Sequence, residues 1–182
     1  MKASSVDISG LLILEPKVFY DERGFFFESY NEKILEDLGI AVSFVQDNHS
    51  FSRCGVLRGI HYQVGKSAQA KLVRVISGEV FDVAVDLRKS SPTFGRWFGM
   101  TLSASNKLEL FIPTGFGHGF LALSDTAEML YKASDFYTPG DERCIRWDDP
   151  DLAIDWPLAG ERIISEKDAR GSFLREADLD QM

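Results

Sequence analysis

Apolar and polar residues alternate along most of the chain. Between Val80 and Leu87, Phe81, Val83, Val85 and Leu87 share one face, with Asp82 and Asp86 on the other. A period of two is what a β-strand gives its side chains. The same pattern predicts strands over 11–14, 24–30, 42–50, 56–63, 71–76, 97–102, 108–112, 117–123 and 128–136. Ser77-Gly78 supplies a tight turn between two of them. One segment changes period: Ile34, Leu35 and Leu38 fall on one side of a helix that Asn31 caps and Gly39 ends. Helices do not alternate with the strands, which argues against a parallel βαβ sheet. About ten short strands with turn signals between them predict a mainly β chain, a double-sheet jelly roll or small barrel with a few short helices. Beyond Tyr137 the pattern weakens. Residues 147–151 are turn-rich, and the charged tail 165–182 is expected to cover a sheet edge with short helical turns.

Size and charge narrow the picture. A chain of 182 residues without repeats or a long linker is expected to form a single domain, 1–182. A net charge of -8 argues against non-specific nucleic-acid binding, which depends on neutralising phosphates. It leaves room for an anionic small molecule, since a few Arg and Lys can reverse the field inside one cleft. The two cysteines, Cys54 and Cys144, are expected to be buried or half-buried thiols rather than a disulfide. The first residues lack the apolar stretch of a signal peptide, and no run approaches the ~20 apolar residues of a membrane span. A cytoplasmic location without membrane attachment is the expectation.

Chemistry can reside in few places. The histidines are His49, His61 and His118. His61 lies in Arg58-Gly59-Ile60-His61-Tyr62-Gln63, where strand parity sets it opposite Arg58. Both can point into one pocket only with a bulge near Gly59 or an approach from the strand edge. His118 lies in Pro113-Thr114-Gly115-Phe116-Gly117-His118, which resembles the second motif of the cupin superfamily. Metal-binding cupins carry His-x-His and a Glu in their first motif. Here it reads His61-Tyr62-Gln63, a poor metal site, so no metal is expected. Lys71 shares parity with Val73 and Val75, so it either snorkels at a strand end or meets an anion. By pattern Tyr131 is a core or interface tyrosine whose hydroxyl could also donate within a pocket. Asp168 is by default a solvated charge. Folded back onto a histidine, it would fix the tautomer and stabilise the protonated ring.

Six segments in order give a more specific signal. They are Asp21-Glu22-Arg23-Gly24-Phe25-Phe26, Gln46-Asp47-Asn48-His49-Ser50, Leu57 to Gln63, Pro113 to Phe120, Glu142-Arg143-Cys144-Ile145-Arg146-Trp147 and Ser165-Glu166-Lys167-Asp168. Together they resemble the dTDP-4-dehydrorhamnose 3,5-epimerase family over nearly the whole chain. That resemblance implies a cupin-like jelly roll, a homodimer, no cofactor and a dTDP-sugar substrate. It implies His61 as general base, Asp168 as its orienting partner, Tyr131 as general acid and Lys71 beside the enolate oxygen. His118 is expected to line the same pocket. Arg23, Glu28, Gln46, Asp47, Asn48, Arg58, Glu142 and Lys167 match nucleotide-sugar contacts, and Tyr137 the residue that stacks on the thymine. Arg23 and Glu28 are expected to reach into the partner's site. A sugar-nucleotide 3-epimerase acting on one centre, a metal-dependent cupin and a non-catalytic sugar-binding jelly roll are the competing readings.

Overall fold

A computed structural model of the chain describes residues 1–157 and 160–179. Its strands are β1 (Lys2–Ser5), β2 (Leu12–Glu15), β3 (Phe19–Asp21), β4 (Gly24–Phe26), β5 (Gln46–Arg53), β6 (Val56–Gln63) and β7 (Lys71–Ser77). There follow β8 (Glu79–Asp86), β9 (Trp97–Ser103), β10 (Glu109–Ile112), β11 (Phe116–Ala122), β12 (Thr126–Ala133), β13 (Glu142–Cys144) and β14 (Ile163–Ile164). Two short helices, α1 (Glu32–Asp37) and α2 (Glu166–Ala169), complete the set used here. One sheet runs β1-β2-β10-β7-β12-β5 and the other β13-β6-β11-β8-β9, with β14 added parallel to β6. The other strand pairings are antiparallel, including the separate two-stranded β3–β4, and an isolated parallel bridge joins Ile145 to Ser172. This is the mainly β double-sheet architecture that the alternation predicts.

The two sheets face each other across one apolar layer. Val73, Val75, Leu110, Ile112 and Met129 come from the first sheet; Val80, Ala84, Leu102, Phe116 and Phe120 come from the second. Each of these except Ala84 stabilises the fold by about 1.5–3 kcal/mol relative to exposure. The outer faces are covered too. Helix α1, capped by the Asn31 side chain, lays Leu35 against Leu14, Leu72 and Phe111 of the first sheet. On the second, Val83, Val85 and Leu87 pack with Leu152, Trp156 and Leu179 of the C-terminal segment. That segment therefore covers a sheet face rather than only an edge; residues 180–182 of the predicted cover lie outside the described residues.

This covering alters the reading of β8. Its apolar face packs outward on the C-terminal segment, and Asp82 and Asp86, on the other face, are fully buried. Asp86 is satisfied by Arg88, Ser91 and Thr93. Strand limits differ where partners run out. The predicted strand 24–30 stops at Phe26 because β3, its only ladder partner, begins at Phe19. The strand predicted over 42–50 starts at Gln46, where β12 ends at Ala133. Cys54 is exposed in the turn between β5 and β6 rather than buried; Cys144 is half-buried, and both thiols are free. Among the described residues no helix is long and apolar enough to cross a membrane.

Candidate active site

The site begins with a bulge in β6. His61 pairs with His118 and Arg58 with Phe120, so β6 uses one more residue than β11 between the same two pairs. The extra residue reverses the parity, and Arg58 and His61 line one cavity. Gly59 makes this possible. Its φ is +115°, and a Cβ there would lie 2.6 Å from the Gly119 Cα and 2.7 Å from the His118 carbonyl oxygen. Only glycine combines that backbone with that close approach.

The cavity, of about 320 Å³, opens between the sheets at one end of the sandwich. His61 and His118 enter it from the second sheet; Lys71 and Tyr131 enter from the first. Helix α2 closes it from outside. The Ser165 side chain caps that helix and accepts from the Asp168 amide, which holds Asp168 buried at the cavity wall. His61 Nε2 lies 3.0 Å from Asp168 Oδ1, and the Gly59 amide donates to Asp168 Oδ2 at 3.3 Å. Burial acts to raise the Asp168 pKa, but the His61 contact, the Gly59 amide and the Ser165 side chain hold it below the usual carboxylate value. An ionised carboxylate accepts only, so the Nε2 proton points to Asp168. Nδ1 then bears the lone pair; it has no hydrogen bond among the described residues and lies 3.5 Å from Glu142 Oε1.

The remaining groups form linked pairs. His118 Nε2 is 2.8 Å from Asp82 Oδ2, a buried dyad. The His118 and Tyr131 rings meet edge to face, with centroids 6.4 Å apart. Lys71 Nζ lies 5.9 Å from the Tyr131 ring centroid. Burial pushes the Lys71 amine down to about 8, opposed by the charges of Asp82 and Glu142. Burial raises the Tyr131 phenol, which stays protonated at neutral pH. At the mouth, Glu142 accepts from Tyr137 Oη at 2.5 Å and from Lys167 Nζ. Arg58 donates to Ser52 and to the Phe51 carbonyl oxygen.

Thus His61, Lys71, Tyr131, Asp168, Arg58, His118, Tyr137, Glu142 and Lys167 converge on one cavity. Gln46 sits behind it, accepting from the Tyr137 amide and donating to Asn48. Asp47, one residue on, projects to the opposite face of the sheet and holds Lys132. Arg23 stays at the exposed hairpin tip bound to Asp21, and Glu28 accepts from Asn31. None of these last three touches the cavity of its own chain. Asp82, the buried partner of His118, was missed. A carboxylate at the parity of Val80 and Ala84 was the available signal for Asp82.

A family model described as dTDP-4-dehydrorhamnose 3,5-epimerase matches residues 5–176. The chain belongs to the dTDP-4-dehydrorhamnose 3,5-epimerase family. It is accordingly an isomerase acting on carbohydrate. The family's enzyme from Pseudomonas aeruginosa is 58% identical over 179 residues, 98% of this chain and 98% of the relative. A dTDP-6-deoxy-D-glucose-3,5-epimerase from Legionella pneumophila, solved with dTDP-4-keto-L-rhamnose, superposes with a TM-score of 0.94. That relative is 52% identical, and the match covers 97% of this chain and 94% of that one. A 3'-monoepimerase from Streptomyces bikiniensis, solved with dTDP-quinovose, is 34% identical with a TM-score of 0.88, covering 93% and 86%. The two sheets are thus those of the family's cupin fold.

Proposed function

We propose that the chain converts dTDP-4-dehydro-6-deoxy-α-D-glucose to dTDP-4-dehydro-β-L-rhamnose by acid/base epimerisation at C3 and C5, in the cytoplasm, as a homodimer. The observation that carries this reading is the pairing of a carboxylate-held imidazole with a protonated phenol from the facing sheet. Both target hydrogens lie beside the C4 ketone, so removing either gives an enolate with its charge largely on the C4 oxygen. His61 takes the proton on the nitrogen not tied to Asp168, and Asp168 stabilises the imidazolium that results. Lys71, still mostly cationic at neutral pH with its pKa about 8, stands by the enolate oxygen and offsets its charge. Tyr131 returns a proton on the opposite face, which inverts the centre. No step requires a metal or a cofactor.

Binding follows from the charges at the mouth. Arg58 and Lys167 suit a diphosphate, with a guanidinium fork able to take two oxygens at once. Tyr137 presents an exposed ring on which a thymine can stack. Arg23 and Glu28 act from the partner chain, as the resemblance implies.

A single-centre 3-epimerase is the competing reading, kept in view by the likeness to the Streptomyces bikiniensis monoepimerase. Incubation with dTDP-4-dehydro-6-deoxy-glucose in heavy water, followed by NMR, separates the two. Deuterium at both C3 and C5 supports the double epimerase. Deuterium at C3 alone favours the monoepimerase, and none at either position sinks both.

A further inference from the structure

Cys144 has no part in the chemistry above and does not line the cavity, yet it lies beside His61. It ends β13 directly across the ladder from His61. A ring nitrogen of His61, the Cys144 sulfur and an Asp168 oxygen all lie within 4.8 Å of one another. Ligands around a tetrahedral ion with bonds of about 2.0–2.3 Å stand roughly 3.3–3.8 Å apart. Small side-chain adjustments bring the three into that range. The ring nitrogen on the Asp168 side is Nε2, 3.0 Å from Oδ1.

We propose that His61, Cys144 and Asp168 form an inhibitory Zn²⁺ site, in which the ion takes the place of the His61 Nε2 proton, engages Asp168, draws down the basicity of Nδ1 and stops turnover. Imidazole nitrogen, thiolate and carboxylate are the zinc donor set, and the cavity leaves a fourth position to water. The inhibitory consequence rests on the reading of His61 as the base. Without metal the thiol is inert. Burial, with the charges of Asp168 and Glu142 adding, pushes it up to about 12. A divalent cation reverses that balance, so binding releases the thiol proton to solvent and moves the Nε2 proton off that nitrogen, to Nδ1 or to solvent. The other free cysteine, Cys54, is exposed in a turn and serves as the control.

Co²⁺ is the spectroscopic probe, because a thiolate–cobalt bond gives a strong near-ultraviolet band. Titrated into EDTA-treated, dialysed full-length protein, Co²⁺ should produce that band in the wild type and in Cys54→Ser but not in Cys144→Ser. In the epimerase assay, Zn²⁺ should inhibit the wild type and excess EDTA should restore full turnover. Cys144→Ser should turn over normally without zinc. It should need about 10–100-fold more Zn²⁺ for half-inhibition, at least the effect of losing a supporting partner of a metal ligand. The site is overturned by absence of the band in the wild type, by its survival in Cys144→Ser, or by equal zinc sensitivity of the two. The cobalt band needs no substrate, so it reports on the cluster even if the epimerase reading fails. Normal turnover without the band defeats the metal site alone.

Discussion

His61 and Tyr131 reach one cavity from facing sheets, the first on β6 and the second on β12. In the proposed function, a sugar ring held between them would meet a base on one side and a protonated hydroxyl on the other. Inversion needs this arrangement, because the proton leaves one face and returns to the other.

Tyr131→Phe tests the division of labour. Among the described residues no hydrogen bond uses the Tyr131 hydroxyl, so its loss leaves no partner unpaired and the fold should tolerate it. His61 and Lys71 remain, so the variant should still exchange substrate hydrogen with heavy water. It should accumulate little fully inverted product. NMR of both quantities checks this; normal inversion at C3 and C5 would return Tyr131 to a packing role.

His61→Asn should lower both exchange and epimerisation by about 10²–10⁴-fold, the usual effect of removing a general base. Asp168→Asn should also be severe. It replaces the buried acceptor at 3.0 Å from His61 Nε2 with an amide that can no longer stabilise the imidazolium. Near-normal exchange in both variants would overturn the assignment of the base.

Glu109 on β10 is fully buried, and neither carboxylate oxygen has a hydrogen bond among the described residues. Burial pushes its pKa from 4.5 up to about 8, while Arg74 and Lys132 pull it back; Asp47 lines the same small cavity. Between those two values the folded chain keeps a proton that the unfolded chain has lost. Its contribution to stability is therefore full below 4.5 and declines as pH rises through 8. Glu109→Gln keeps the shape and removes the titration. In urea unfolding from pH 5 to 9, the variant should lose less stability than the wild type; parallel curves would exclude the effect.

The hairpin β3–β4 exposes Phe19, Tyr20, Phe25 and Phe26, each more than half accessible. A clustered aromatic surface of this kind marks an interface. The double substitution Phe25→Glu with Phe26→Glu should shift the protein from dimer to monomer in analytical ultracentrifugation. It should also weaken substrate binding, since Arg23 lies in the same hairpin. A wild type that sediments as an active monomer at assay concentration would remove the dimer from the reading.

Much of this was legible along the chain. Strand alternation exposed the sandwich, because the period of two is a local consequence of backbone geometry. The Asn31 cap and the Gly39 stop located α1 to within the last turn. For Arg58 and His61 to share a pocket, the sequence left a bulge near Gly59 or an approach from the strand edge, and the fold takes the bulge. Strand limits were less legible. A strand ends where its neighbour ends, and the neighbour of Gln46 is Ala133, far along the chain.

The residue types at the site, their local spacing and the glycines that permit close approach were properties of the sequence itself. Two things belonged to the tertiary structure. The first was the burial of both faces of β8, which made Asp82 a partner of His118 instead of a solvated charge. The second was the closure that brings Asp168 onto Gly59, 109 residues away, and sets Cys144 beside His61. Local periodicity shows which face a side chain takes. What lies opposite that face depends on long-range pairing and on which segment folds over the sheet.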